Sequence, residues 1–305
     1  MQQVERERTP PATEVVAALL MIAAAACFVG MTSTVKLLST EFSTAQIVWG
    51  RYAFHLAIVL VLLRGRLDAV VATARPKVQL ARSLLMFAAT SFSFLALRWL
   101  PLAEVAAIMF LTPVIVTALA ALALGEPVGL RRWGAVATGF LGAVVIIRPG
   151  FEAVHPAALA AVLCAFSYGS YQITTRVVGD SAPPFVSLFY TCAVGVLVSS
   201  LALPLVWRTP DLAGWGLMAL SGTFGALGHL AMIGALARAH ASFATPFTYT
   251  QLIWATLLGF VLFGELPDLY TYVGAALIAA SGLYVMHRER VRKRAAAPAD
   301  VAGEP

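Results

Sequence analysis

Leu124-Gly125-Glu126-Pro127 and Phe263-Gly264-Glu265-Leu266-Pro267 open two copies of one stretch. The first copy continues through Leu130, Gly134-Ala135, Gly139, Gly142 and Arg148. The second continues through Leu269, Gly274-Ala275, Ala279, Gly282 and Arg288. The Gly-Glu pairs lie 139 residues apart, and after one inserted residue the glycines run 140 apart. Each copy has the same plan: an apolar helix ends, Gly-Glu and a Pro turn follow, and a second apolar helix begins. In that second helix Ala135, Gly139 and Gly142 match Ala275, Ala279 and Gly282, at i, i+4 and i+7 on one face. Small residues so spaced let two helices approach closely in lipid. A shared run of about two dozen positions marks an internal duplication.

Composition gives the solvent. Of 305 residues, 60% are hydrophobic and 12% charged, where a soluble domain carries roughly 25% charged residues. The net charge of +6 resides at helix ends and in the C-terminal tail. That placement reads as topology signals and contacts to anionic headgroups rather than nucleic-acid binding. Cys27, Cys164 and Cys192 lie far apart in apolar runs without a CxxC, so neither a metal site nor a disulfide framework is supported. Ala23-Ala24-Ala25-Ala26-Cys27 has the look of a cleavage site, but the apolar run carries on past it to about Leu38.

Ten apolar runs fall near 15–38, 45–63, 77–97, 102–124, 131–147, 156–178, 184–206, 213–236, 241–263 and 269–287. Each has about the length needed to cross roughly 30 Å of hydrocarbon, and each is too long and apolar for a barrel strand. The fold class expected is an all-α integral membrane protein: ten transmembrane helices as two inverted five-helix repeats. The repeats span 15–148 and 156–287, between an N-terminal tail, 1–14, and a basic C-terminal tail, 288–305.

An even number of spans leaves both termini on one side. Placing them in the cytoplasm puts fifteen basic residues inside and four (Lys36, Arg98, Arg148 and Arg208) outside, a strong positive-inside bias. Five helices per repeat is odd, so the second copy enters the membrane from the opposite side. Inverted repeats supply two near-equivalent conformations, one open to each side, which is the logic of alternating access.

The chain resembles the drug/metabolite transporter superfamily, EamA family. The resemblance rests on the five-helix repeat, Trp49-Gly50-Arg51-Tyr52 in the second helix, Pro113 in the fourth, and the Gly-Glu-Pro turn before a Gly-rich fifth helix. It covers about residues 15–288. The second copy departs from the pattern: Arg51 has no clear partner in Pro184–Tyr190, and Pro113 aligns near Leu252 while Pro246 sits elsewhere. The resemblance implies an inner-membrane carrier of metabolites such as vitamins, nucleoside-like cofactors or amino acids. It also leaves room for an exporter of secreted amphiphiles or metal chelators, and for a homodimer.

Chemistry is expected from polar residues at depth. Tyr168, Tyr171, Gln172 and Thr175 form one face of the sixth helix, and Thr245, Pro246, Thr248, Tyr249, Gln251 and Trp254 cross the membrane centre in the ninth. Such groups need partners in lipid, so these faces should point to a cavity or to another helix. Pro113 and Pro246 each free a backbone carbonyl, and broken helices often line binding sites. Arg51 lies about 10 Å deep at 1.5 Å per residue, where a charge marks function by default. It is expected to attract or gate anionic groups. His55 and His229 are candidates for carrying protons. Arg82 and Ser83 are expected near the inner end, with Arg82 snorkelling.

No carboxylate lies at mid-membrane. Proton coupling would fall to Glu104, a helix-end Glu or a His. No lysine follows a glycine, so there is no P-loop, and no HExxH, GxSxG or paired Asp suggests an enzyme. A secondary carrier without cofactor or metal is expected, its partners a small-molecule substrate and the bilayer. An assembly subunit is the alternative of another class.

Overall fold

The computed structural model describes residues 11–63, 75–125, 129–147, 155–178, 184–239 and 241–296. Glu126, Arg148 and most of the basic 64–76 connection lie outside the described residues. Those described are helical, without strands. In chain order the helices are α1 (Pro11–Leu38), α2 (Thr44–Leu63), α3 (Pro76–Leu97), α4 (Leu102–Met109), α5 (Thr112–Leu124), α6 (Leu130–Ile147) and α7 (Pro156–Val178). There follow α8 (Pro184–Ser200), α9 (Leu203–Val206), α10 (Leu212–Leu236), α11 (Ala241–Ala244), a 3-10 turn (Thr245–Tyr249), α12 (Thr250–Phe263) and α13 (Leu269–Ala296). Among the described residues eight helices are long and apolar enough to cross a membrane, and Trp133–Ile147 and Phe185–Ser200 are shorter apolar helices. Large apolar side chains such as Leu122, Leu205, Leu212 and Ile253 are exposed around the bundle, as a lipid-facing surface requires. One boundary moves: α13 continues to Ala296, so the basic tail begins as helix rather than ending it at residue 287.

The two halves pack as a pseudo-dimer. α1 lies along α10 and α3 along α7; α2 meets α8, and α6 meets α13. Each pairing is its own counterpart or has one in the other half, as an isologous two-fold contact demands. The duplicated small-residue face explains the α6–α13 seam. A Cβ on Gly142 would stand 2.8 Å from the Gly274 carbonyl oxygen, and one on Gly274 would stand 2.5 Å from that of Gly142. Ser281 donates across the same seam to the Ala135 carbonyl at 2.5 Å. The helices preceding this seam stop alike. Gly125 and Gly264 adopt φ of 65° and 67°, left-handed caps that glycine enters without steric penalty.

Candidate functional site

The fourth and ninth apolar runs both break, and the two breaks overlap at one pair of equivalent positions. α4 starts at Leu102 and α11 at Ala241; α5 ends at Leu124 and α12 at Phe263, each pair 139 residues apart. The first run turns at Phe110-Leu111, and the second loses its 3-10 turn at Tyr249. The prolines are not equivalent, but both breaks include the matched positions Phe110 and Tyr249. Pro113 lacks the N–H that would bond the Met109 carbonyl. That carbonyl is not free as expected, because the Thr112 hydroxyl donates to it at 2.7 Å. Thr248 and Thr250 act likewise on the Thr245 and Phe247 carbonyls at 2.7 and 2.6 Å. At the breaks, Phe110 and Tyr249 meet edge to face, ring centroids 4.7 Å apart.

Around this contact α3, α1, α12, α4–α5 and α7 pack in sequence as a ring. α7 and α12 face each other across it, without extensive mutual contact among the described residues. On α12 the predicted residues are half-buried: Gln251 and Trp254, with Thr248 and Tyr249 in the preceding turn. The Tyr249 hydroxyl and the Trp254 indole N–H are buried without a hydrogen-bond partner. The Tyr249 hydroxyl sits over Gly282, where a side chain would collide with it.

On α7 the predicted face divides. Tyr168 and Tyr171 stack, ring centroids 5.7 Å apart and 11° from parallel, and Gln172 is half-buried beside them. Tyr171 and Thr175 are held by Arg82. Its Nη2 donates to the Tyr171 hydroxyl at 3.2 Å, and its Nε donates to the Thr175 hydroxyl at 3.2 Å. Its guanidinium lies 4.8 Å from the Tyr171 ring centroid. Nη2 also reaches the Ser187 carbonyl and the Thr191 hydroxyl, and Nη1 reaches Gln79 Oε1. Arg82 is 3% exposed and Ser83 is fully buried. Arg82 therefore does not snorkel: its helix packs against α7 and α8 on that side, and five polar acceptors draw it inward.

Arg51 has the opposite character. It is 2% exposed, and its Nε and Nη1 have no hydrogen-bond partner. Its guanidinium lies 4.2 Å from the Tyr52 ring centroid. A desolvated cation–π contact is worth about 2 kcal/mol, against a desolvation penalty of several kcal/mol per ion. His55 lies one turn on, both ring nitrogens buried and unpartnered, 5.5 Å centroid to centroid from His229. His229 Nδ1 is 2.8 Å from the Gly225 carbonyl oxygen, which assigns the proton to Nδ1. The two histidines and Arg51 thus share one buried pocket between α2 and α10. Glu104 stands apart, half-buried in the first turn of α4.

One end of the bundle is sealed by residues that the sequence reading did not single out as a pair. Lys36 Nζ contacts Glu265 Oε1 at 2.5 Å and donates to the Leu100 carbonyl at 2.8 Å. Glu265 Oε2 accepts from the Leu102 N–H at 3.4 Å. The pair draws together α1, the α3–α4 turn and the end of α12. Its only sequence signal was Glu265 in the repeated motif. An apolar groove of about 280 Å³ lies on the outside of α2, lined by Phe54, Ala57, Ile58, Val61, Leu62 and Thr223. It carries too little polarity for a metabolite site.

The profile of the EamA-like transporter family matches residues 15–148 and 155–286, one match per repeat. The chain belongs to the EamA-like transporter family. A riboflavin transporter of Rhizobium johnstonii is 29% identical over 287 residues, covering 93% of this chain and 95% of that one. An S-adenosylmethionine uptake transporter of Rickettsia bellii is 27% identical, covering 84% and 88%. A solved crystal structure shares the fold, with a TM-score of 0.64 at 18% identity over 90% of this chain and 98% of the other. This EamA member is thus a multi-pass membrane transporter for a small metabolite, built from two repeats of one helical unit.

Proposed function

We propose that this EamA protein is a secondary carrier of the bacterial inner membrane that moves a planar or amphiphilic organic metabolite by alternating access. The observation that carries the reading is the Phe110–Tyr249 contact at the matched helix breaks. It sets equivalent residues of the two repeats face to face, where an inverted repeat keeps its substrate site. α6 and α8, at 18 and 17 residues, are about 27 and 25 Å long at 1.5 Å per residue. That length nearly spans the hydrocarbon and supports ten crossings, with both termini cytoplasmic. In this topology Lys36 and Glu265 close the outer end.

The solute sits between α7 and α12. Tyr168, Tyr171 and Tyr249 offer ring faces to it. Gln172, Thr248 and Gln251 offer hydrogen bonds, and Trp254 offers an indole N–H that has no partner among the described residues. The riboflavin and S-adenosylmethionine carried by the two relatives both combine a flat heteroaromatic ring with a polar chain, which suits this lining. The test is uptake of labelled riboflavin and S-adenosylmethionine into ATP-free vesicles holding the purified protein. Preloading with the unlabelled compound should accelerate entry of the label. Solute converted chemically in detergent, with no flux, would overturn the reading.

A further inference from the structure

We propose that Arg51, His55 and Ser221 form a buried anion-binding site that accepts a small monovalent anion, either a free halide or a carboxylate group of the transported solute. Arg51 Nε and Nη1, both His55 ring nitrogens and the Ser221 hydroxyl are buried and unpartnered. Arg51 brings two unused N–H donors, the His55 ring brings one N–H and one lone pair when neutral, and Ser221, one turn before Gly225 on α10, brings a hydroxyl; together they lack an acceptor for the arginine. Among the described residues no carboxylate forms an ion pair with Arg51; Glu265 is paired with Lys36 instead.

The two-fold relation sharpens the case. Arg82 touches α7 and α8 from α3. A shift of 139 residues carries Arg82 to Ser221, and carries α7 and α8 back to α1 and α2. The second pocket thus has the same helix arrangement. Its arginine comes from α2 instead, and two side-chain acceptors of Arg82 have no counterparts: Gln79 and Thr175 correspond to Met218 and Lys36, while Tyr171 corresponds to Thr32. Thr32 donates to its own helix, at the Val29 carbonyl. One arginine is saturated by protein acceptors; the other keeps Nε and Nη1 unpartnered.

Gly225 sets the size of the ligand. A Cβ there would stand 3.4 Å from both Arg51 Nε and His55 Nδ1. Glycine leaves between them room for about one acceptor atom. Bulky polyanions are therefore excluded without a rearrangement of α10.

The experiment is thermal unfolding of the purified full-length protein in detergent while sodium chloride or sodium acetate is titrated. The wild type should show a saturable rise in Tm, since a ligand held only by the folded state stabilises it in proportion to its occupancy. Arg51→Gln should lose that rise and, in low-anion buffer, be at least as stable as the wild type. Gly225→Ala, which keeps the charge and fits without a clash, should weaken the apparent affinity tenfold or more. A response to chloride alone identifies a resident ion. A response to acetate that competes with chloride identifies a carboxylate of the solute, and in that form the inference rests on the carrier reading. Identical salt responses in wild type and both variants would overturn the site. The titration involves no flux, so its failure leaves the carrier reading standing, and absent flux with anion binding intact tells against the carrier alone.

Discussion

Phe110 and Tyr249 lie 139 residues apart, the interval that separates the two Gly-Glu pairs, and their rings meet edge to face at 4.7 Å. Two residues that are equivalent in a duplicated chain can touch only where the two-fold axis passes between them. The axis therefore runs through the helix breaks, and the matched C-caps at Gly125 and Gly264 end the helices that carry them. The Tyr249 hydroxyl at this point is buried and unpartnered, which costs the fold about 1–3 kcal/mol. Tyr249→Phe should leave thermal stability unchanged or raise it by about 1 kcal/mol and, because it keeps the ring, leave apparent solute affinity unchanged, whereas Tyr249→Ala should weaken that affinity roughly threefold to tenfold. Parallel unfolding and uptake measurements separate the two effects.

The Lys36–Glu265 pair holds α1 to the end of α12 and, through Leu100 and Leu102, to the α3–α4 turn. The side chains are 12% and 27% exposed. Solvent therefore screens the attraction, yet each charge also holds a backbone group. Glu265→Gln should cost about 1–2 kcal/mol, the range for a hydrogen bond to a charged group less that screening. It should also raise thiol-reagent access to a cysteine near Leu100 from the outer side. Exchanging the two charges, Lys36→Glu with Glu265→Lys, should restore only part of the closure, because the carboxylate would then face the Leu100 carbonyl and the ammonium the Leu102 N–H.

The α6–α13 seam predicts an ordered set of glycine effects. Gly274→Ala places a methyl 2.5 Å from a backbone oxygen and should destabilise by about 1–3 kcal/mol in a detergent melt. Gly139→Ala meets the Val114 side chain at 2.6 Å and should cost less, because a side chain can move. Gly134→Ala, with nothing within 4 Å, should be neutral or slightly stabilising.

The duplication made the fold legible in the sequence. Apolar run lengths placed the helices, and the repeated Gly-Glu turn marked where two of them end, at glycines that the structure shows as left-handed caps. The small-residue stripes marked the seam that α6 and α13 form. Within the site, burial of Arg51 and breaks near Pro113 and Pro246 were equally readable. Arg82 was not, because its position near a helix end suggested the interface. What holds it inside are acceptors on α7 and α8, about 90 to 110 residues away in the chain. Nor did the prolines show that the breaks coincide. A proline removes one donor, but where a helix turns also depends on the threonine hydroxyls that take up the carbonyls left behind.

Arg82 gives the complementary prediction to Arg51. Its donors satisfy acceptors on α7 and α8 and fix the orientation of Tyr171. Arg82→Ala would leave several of those groups buried and unpaired, at about 2–4 kcal/mol in total. Arg82→Lys should recover only part, since one ammonium cannot match a planar fork. Unfolding midpoints of the two variants, set beside Arg51→Gln, should show Arg82 as a stabilising residue and Arg51 as none.

The most direct test of the central claim is substrate-protected labelling at Gln172 and Gln251, each replaced by cysteine in a background lacking Cys27, Cys164 and Cys192. Leu159→Cys, on the exposed outer surface of α7, serves as the lipid-facing control. In membrane vesicles both site cysteines should react with a small water-soluble thiol reagent, the control should stay inert, and transported solute should slow the reaction at both sites together. Site cysteines as inert as the control, or reactive but indifferent to solute, would contradict a substrate site between α7 and α12.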